Sequence, residues 1–150
     1  KNLYLMKKII IYIISYLVFI SCKIEPKEID FGLDACHFCK MTIVDKPFAS
    51  EIVSTKGKIY KYDAIECMIK NQELENLNAA LFLVYDFENS TEFMNAVNSY
   101  YVVSEQINSP MGENLGAFQT KTAAQKFVKN NSGKLFNWTQ IKHYFKTNEK

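Results

Sequence analysis

Two thiols and a thioether crowd into the segment Cys36-His37-Phe38-Cys39-Lys40-Met41. A pair of cysteines two residues apart can be a redox dithiol, half of a zinc site or a reducible disulfide. The methionine shifts the balance. Thiolate and thioether donors together select soft ions, Cu(I) above all, whereas zinc takes cysteine and histidine and has little use for methionine. Cys36, Cys39 and Met41 are therefore metal-ligand candidates, and Met41 is the residue that discriminates between ions. A thioredoxin-like dithiol would open a helix directly after a strand, but here residues 42–47 lead into a strand instead. Zinc is the strongest chemical alternative, because Cys67 and His37 could supply the remaining ligands.

A second sulfur sits in Ser109-Pro110-Met111-Gly112. Proline presets a tight turn and glycine relieves the position after it, so Met111 is held where its side chain can be aimed. The competing reading has Met111 folding back into the core. Cys67 reads first as a small buried hydrophobe, and Met68 and Met94 as packing residues. His37 reads as a solvated loop side chain and His143 as a surface residue of the last helix.

Positioning these groups requires a compact domain. Residues 48–54 and 58–62 are short alternating runs around Thr55-Lys56-Gly57, which predicts a β-hairpin. Asp63 and Glu66 have capping-box spacing, which predicts a short helix over 64–70 carrying Cys67. Residues 80–86 (ALFLVYD) read as a buried central strand. Residues 91–97 and 100–104 are strand candidates, followed by a polar loop over 105–114. Thr120 caps a helix to about residue 129, Ser132 and Gly133 stop it, and a small strand follows at 134–136. Asn137 and Gln140 repeat the capping box for a terminal helix reaching Phe145. Hairpin, helix and strand thus occur at 48–86 and again at 91–136. The expected class is α+β, two ββαβ units with small mixed or antiparallel sheets and helices packed on one face.

Composition excludes some functions. There are 18 basic against 16 acidic residues, the basic ones all lysine, and three of the lysines lie in the first 21 residues. Near charge balance without the bidentate guanidinium argues against nucleic acid as a partner. At the N-terminus, Lys7 and Lys8 precede an apolar stretch too short to span a bilayer comfortably, and Ser21 precedes Cys22. This is the pattern of a lipoprotein signal over residues 1–21, with Met6 as the natural start and Cys22 as the lipidated residue. Residues 22–31 then serve as a lipidated tether to a single domain over 32–150. With Cys22 acylated, Cys36, Cys39 and Cys67 are left, an odd number that cannot pair fully within one chain.

Taken in order, the lipoprotein cysteine, CHFCKM at 36–41, YDAIECM at 62–68, YVVSEQINSPMGENLGAF at 101–118 and GKLFNW at 133–138 resemble the NosL lipoproteins. These are accessory factors for copper-site assembly in nitrous-oxide reductase. The resemblance implies a duplicated ββαβ fold, a periplasm-facing lipoprotein of the outer membrane, and a Cu(I)-binding metallochaperone rather than an enzyme. Its ligands would be Cys36, Cys39, Met41 and Met111, while Cys67 and His37 stay further metal candidates on the reading of the residues themselves. Its partner would be nitrous-oxide reductase or its assembly machinery, with a homodimer compatible with this reading. One departure is visible: the family pattern has glycine where this chain has Lys40. The competing functions are an extracytoplasmic CxxC thiol-disulfide oxidoreductase and a zinc-stabilised structural or binding lipoprotein.

Overall fold

The computed structural model describes residues 23–148. The signal segment, the start at Met6 and the lipidated Cys22 lie outside the described residues. No helix among the described residues is long and apolar enough to cross a membrane.

The first unit comprises β1 (Ser50–Ser54), β2 (Ile59–Tyr62), α1 (Ile65–Glu75) and β3 (Ala79–Tyr85). β1 and β2 form the expected hairpin, with Gly57 at a positive φ of 75° in the turn. β1 is buried along its whole length because it is flanked by β2 and β3 in a sheet of order β2-β1-β3-β4. The second unit is β5 (Tyr100–Val103), β6 (Leu115–Phe118), α2 (Lys121–Asn131) and β7 (Lys134–Asn137), with sheet order β6-β5-β7. In each unit the first strand lies between the other two. The duplication of ββαβ is therefore real at the level of topology, and the sheets are antiparallel rather than mixed.

The second unit is framed differently from the sequence expectation. Its hairpin pairs Tyr100–Val103 with Leu115–Phe118, across the polar loop that precedes β6. β4 (Phe93–Asn95) instead extends the first sheet by pairing with β3. β6 is short and carries Gly116 and Ala117, so local propensity does not mark it. Burial does: all four residues are inside, and a Cβ at Gly116 would lie 3.1 Å from Ile107 and 3.2 Å from Phe87. A Cβ there would have to push those two side chains back by a few tenths of an ångström.

α3 (Trp138–Asn148) closes the chain with a full capping box. The Gln140 N–H donates to Asn137 Oδ1 and the Asn137 N–H donates to Gln140 Oε1, both at 2.9 Å. Thr120 caps α2 by accepting from the Ala123 N–H at 3.1 Å. Trp138 then joins the two sheets, with its ring 5.3 Å from Phe82 on β3 and 5.7 Å from Tyr101 on β5. The main core runs through Ile52, Met68, Val84, Leu115, Ile141 and Phe145, so both units and α3 share one apolar interior. Cys36 and Cys67 belong to that interior. The segment before the domain is also held: Ile29 is buried, and the Lys27 N–H donates to buried Glu51 at 3.0 Å.

Candidate metal centre

The dithiol segment forms a tight hook. The Cys36 N–H donates to the Met41 carbonyl at 2.7 Å, the Lys40 N–H returns to the Cys36 carbonyl at 3.1 Å, and Ala35 and Thr42 form an isolated antiparallel bridge. Lys61 on β2 anchors it twice. Its carbonyl accepts the His37 N–H at 2.7 Å, and its ammonium pairs with Asp34 at 2.5 Å, holding that carboxyl below its usual range. The hook is thereby fixed beside the residues that follow Lys61, namely Tyr62, Asp63 and the start of α1.

Asp63 does not cap α1. The N-cap is Ala64, with no side-chain cap, and the helix runs to Glu75 rather than stopping near Lys70. Asp63 turns to the hook instead, where Oδ1 accepts from Cys39 Sγ at 3.2 Å while its buried Oδ2 has no hydrogen-bond partner among the described residues. Cys67, on the first turn of α1, reaches the same place. The ligand atoms of Cys36, Cys39, Asp63 and Cys67 all lie within 4.8 Å of one another. The three cysteines are free thiols.

Electrostatics single out one sulfur. Cys36 receives a hydrogen bond from the Cys67 thiol and from the backbone N–H groups of Asp63 and Cys39. These donors outweigh desolvation and draw its pKa below the ordinary thiol value. Burial pushes Cys39 up to about 11, and Cys67 is raised because its proton is committed to Cys36. The direction of these shifts favours Cys36 as the first of the three sulfurs to ionise, in a cluster packed at the N-terminal end of a helix whose dipole favours negative charge. Cys36 and Cys67 are fully enclosed, whereas Cys39 is half-buried.

The other candidates are placed as follows. Met41 is half exposed on the outer side of the hook. Met111 is half-buried and packs against the core cluster that includes Cys36 and Cys67. His37 stands apart, its ring edge-on to Tyr60 at 4.8 Å and its Nε2 3.7 Å from Glu75. His143 is exposed on α3. Lys40 adopts φ 67°, a left-handed conformation that glycine takes without cost, and its ammonium donates to the His37 carbonyl.

Sequence reasoning missed Asp63 and favoured packing for Cys67. The spacing of Asp63 four residues before Cys67 was a usable signal. It places a carboxylate just before the helix and a thiol on its first turn.

The family model for NosL matches residues 28–145, most of the chain. This protein belongs to the NosL family. Among solved structures, the crystal structure of the copper chaperone NosL from Shewanella denitrificans is similar, with a TM-score of 0.67 and 23% identity. The match covers 79% of this chain and 96% of that one, so the two share a fold over nearly the whole neighbour. No curated protein matches the sequence. The matched range spans Cys36, Cys67 and Met111.

Proposed function

We propose that this NosL-family protein is a Cu(I) carrier, anchored through Cys22 to the periplasmic face of the outer membrane, that delivers copper for assembly of nitrous-oxide reductase. One observation carries the reading: three thiols from two distant stretches converge within 4.8 Å. The donor chemistry suits the cargo. Sulfur favours Cu(I) over harder and more abundant ions, and neutral thioethers at Met41 and Met111 add affinity without adding charge. Cys36, Cys39 and Cys67 form the thiol set, with Met41 on the solvent side as the donor from which a recipient can draw the metal. Family membership and the copper-chaperone neighbour support the same cargo.

Asp63 favours a second reading, because three sulfurs and one carboxylate make the four donors that tetrahedral zinc requires. The oxidoreductase reading fares worse. Attack on a disulfide needs an accessible thiolate, yet Cys36, the sulfur favoured to ionise, is enclosed, and burial pushes the more accessible Cys39 thiol up. Anaerobic titration against a Cu(I) chelator, run beside a Zn(II) titration, decides between the metals. The carrier reading expects Cu(I) binding that survives Asp63→Asn and weakens on Met41→Leu or Met111→Leu. Zinc binding that Asp63→Asn abolishes, with Cu(I) binding indifferent to both methionines, would replace it. Restored copper loading of nitrous-oxide reductase in a deletion strain by the parent, and not by Cys36→Ser, tests delivery.

A further inference from the structure

Glu66 is fully buried on α1, next in sequence to Cys67, and a carboxyl there is an expensive choice for a core position. Its surroundings give it a use. The Ser109 hydroxyl donates to Glu66 Oε1, and the same hydroxyl oxygen accepts the Asn114 N–H at 2.9 Å. The Gly112 N–H closes the turn onto the Ser109 carbonyl at 2.9 Å, with Gly112 at φ 75°. One helical turn further on, Lys70 pairs with Glu113 at 2.9 Å. The segment 109–114 is therefore fastened to α1 at two points on one face, Glu66 and Lys70. Met111 lies between the two fastenings in sequence and packs against the main apolar core, to which Cys36 and Cys67 also belong.

We infer that Glu66 and Ser109 form a buried latch that positions the Met111 thioether against the thiol cluster, making both of them positioning residues for metal binding. The inference rests on the reading of Met111 as a copper donor. The latch ties together two stretches far apart in sequence, since Met111 sits in the connection between β5 and β6 and Cys67 sits on α1. With Ser109 released, the Met111 turn loses its buried tie to α1. Lys70 and Glu113 alone would not restrain it, because their pair is partly solvated. Glu66 Oε2 has no hydrogen-bond partner among the described residues, so the carboxyl is committed to this one contact with the loop.

A double-mutant cycle tests the latch. Cu(I) affinity is measured by chelator competition for the parent, Ser109→Ala, Met111→Leu and the double variant, with thermal unfolding followed for each. Loss of an outer contact to a metal donor weakens binding about 10- to 100-fold. Ser109→Ala is expected to weaken Cu(I) binding within that range in the parent and to add nothing in the Met111→Leu background. Glu66→Gln keeps an acceptor for the hydroxyl and is expected to retain parental affinity, while Glu66→Leu, a variant of similar bulk, behaves like Ser109→Ala. The copper X-ray absorption spectrum of Ser109→Ala should lose the thioether contribution. Equal weakening by Ser109→Ala in both backgrounds would overturn the latch, as would no weakening while Met111→Leu still weakens. If Met111→Leu is silent while the cysteine variants lose copper, the donor role of Met111 fails and the latch falls with it.

Discussion

Replacing Cys67 by alanine asks whether a thiol that sequence patterning assigns to the core is part of the metal centre. The side chain is fully enclosed, so losing one heavy atom should cost about 0.5–1.5 kcal/mol of stability, as other small core truncations do. Its effect on copper should be much larger. The Cys67 thiol is the strongest influence drawing Cys36 toward its ionised form, and a hydrogen bond to a charged group contributes about 1.5–3 kcal/mol. At about 1.4 kcal/mol per decade, its loss alone weakens Cu(I) binding roughly 10- to 100-fold near pH 7, because Cys36 must then be deprotonated by the metal. If Cys67 acted only through that bond, raising the pH would ionise Cys36 and restore parental affinity. A direct ligand leaves a deficit that persists at pH 9. The assay is anaerobic competition with a Cu(I) chelator at pH 7 and pH 9, beside thermal unfolding. The account expects a deficit of at least about tenfold at both pH values in a folded protein. A folded Cys67→Ala variant within about twofold of the parent at pH 7 would refute the reasoning.

Other consequences concern the frame around the site. Burial raises the Glu51 carboxyl from 4.5 to about 7, so the folded state holds its proton longer than the unfolded chain. The stability it confers is complete below about pH 4.5 and is lost as the pH rises through about 7. Glu51→Gln should then raise unfolding free energy at pH 8 by about 1–2 kcal/mol and change it little at pH 5, measured by urea denaturation. Lys40→Gly removes a side chain from a left-handed backbone, and the relief of about 1–2 kcal/mol outweighs the entropy glycine adds, leaving a net gain of about 0.5 kcal/mol. Thermal unfolding reads it; a fall in midpoint would show that the Lys40 contact with His37 matters more than the strain.

Local signals were legible in the chain and long-range ones were not. The β1–β2 hairpin, the Thr120 cap and the Asn137–Gln140 box are encoded within a few residues each, and all three form. Asp63 and Glu66 carry the same box spacing, yet tertiary partners claim both: a thiol draws Asp63, and a hydroxyl in another unit draws Glu66. Spacing alone cannot tell a cap from a site. β6 escaped because its glycine answers to Ile107 and Phe87 rather than to strand propensity. The CxxC hook was readable as metal chemistry, but its third sulfur arrives from 28 residues beyond Cys39 in sequence, through pairing of the hook with Lys61. The glycine that the family pattern places at position 40 is explained by the left-handed turn that Lys40 now adopts.

X-ray absorption at the copper edge of the Cu(I)-loaded protein examines the convergence of Cys36, Cys39 and Cys67 most directly. The account predicts an inner shell of sulfur atoms that loses one scatterer in Cys67→Ala. A shell dominated by nitrogen or oxygen, or a sulfur shell identical in parent and Cys67→Ala, would contradict it.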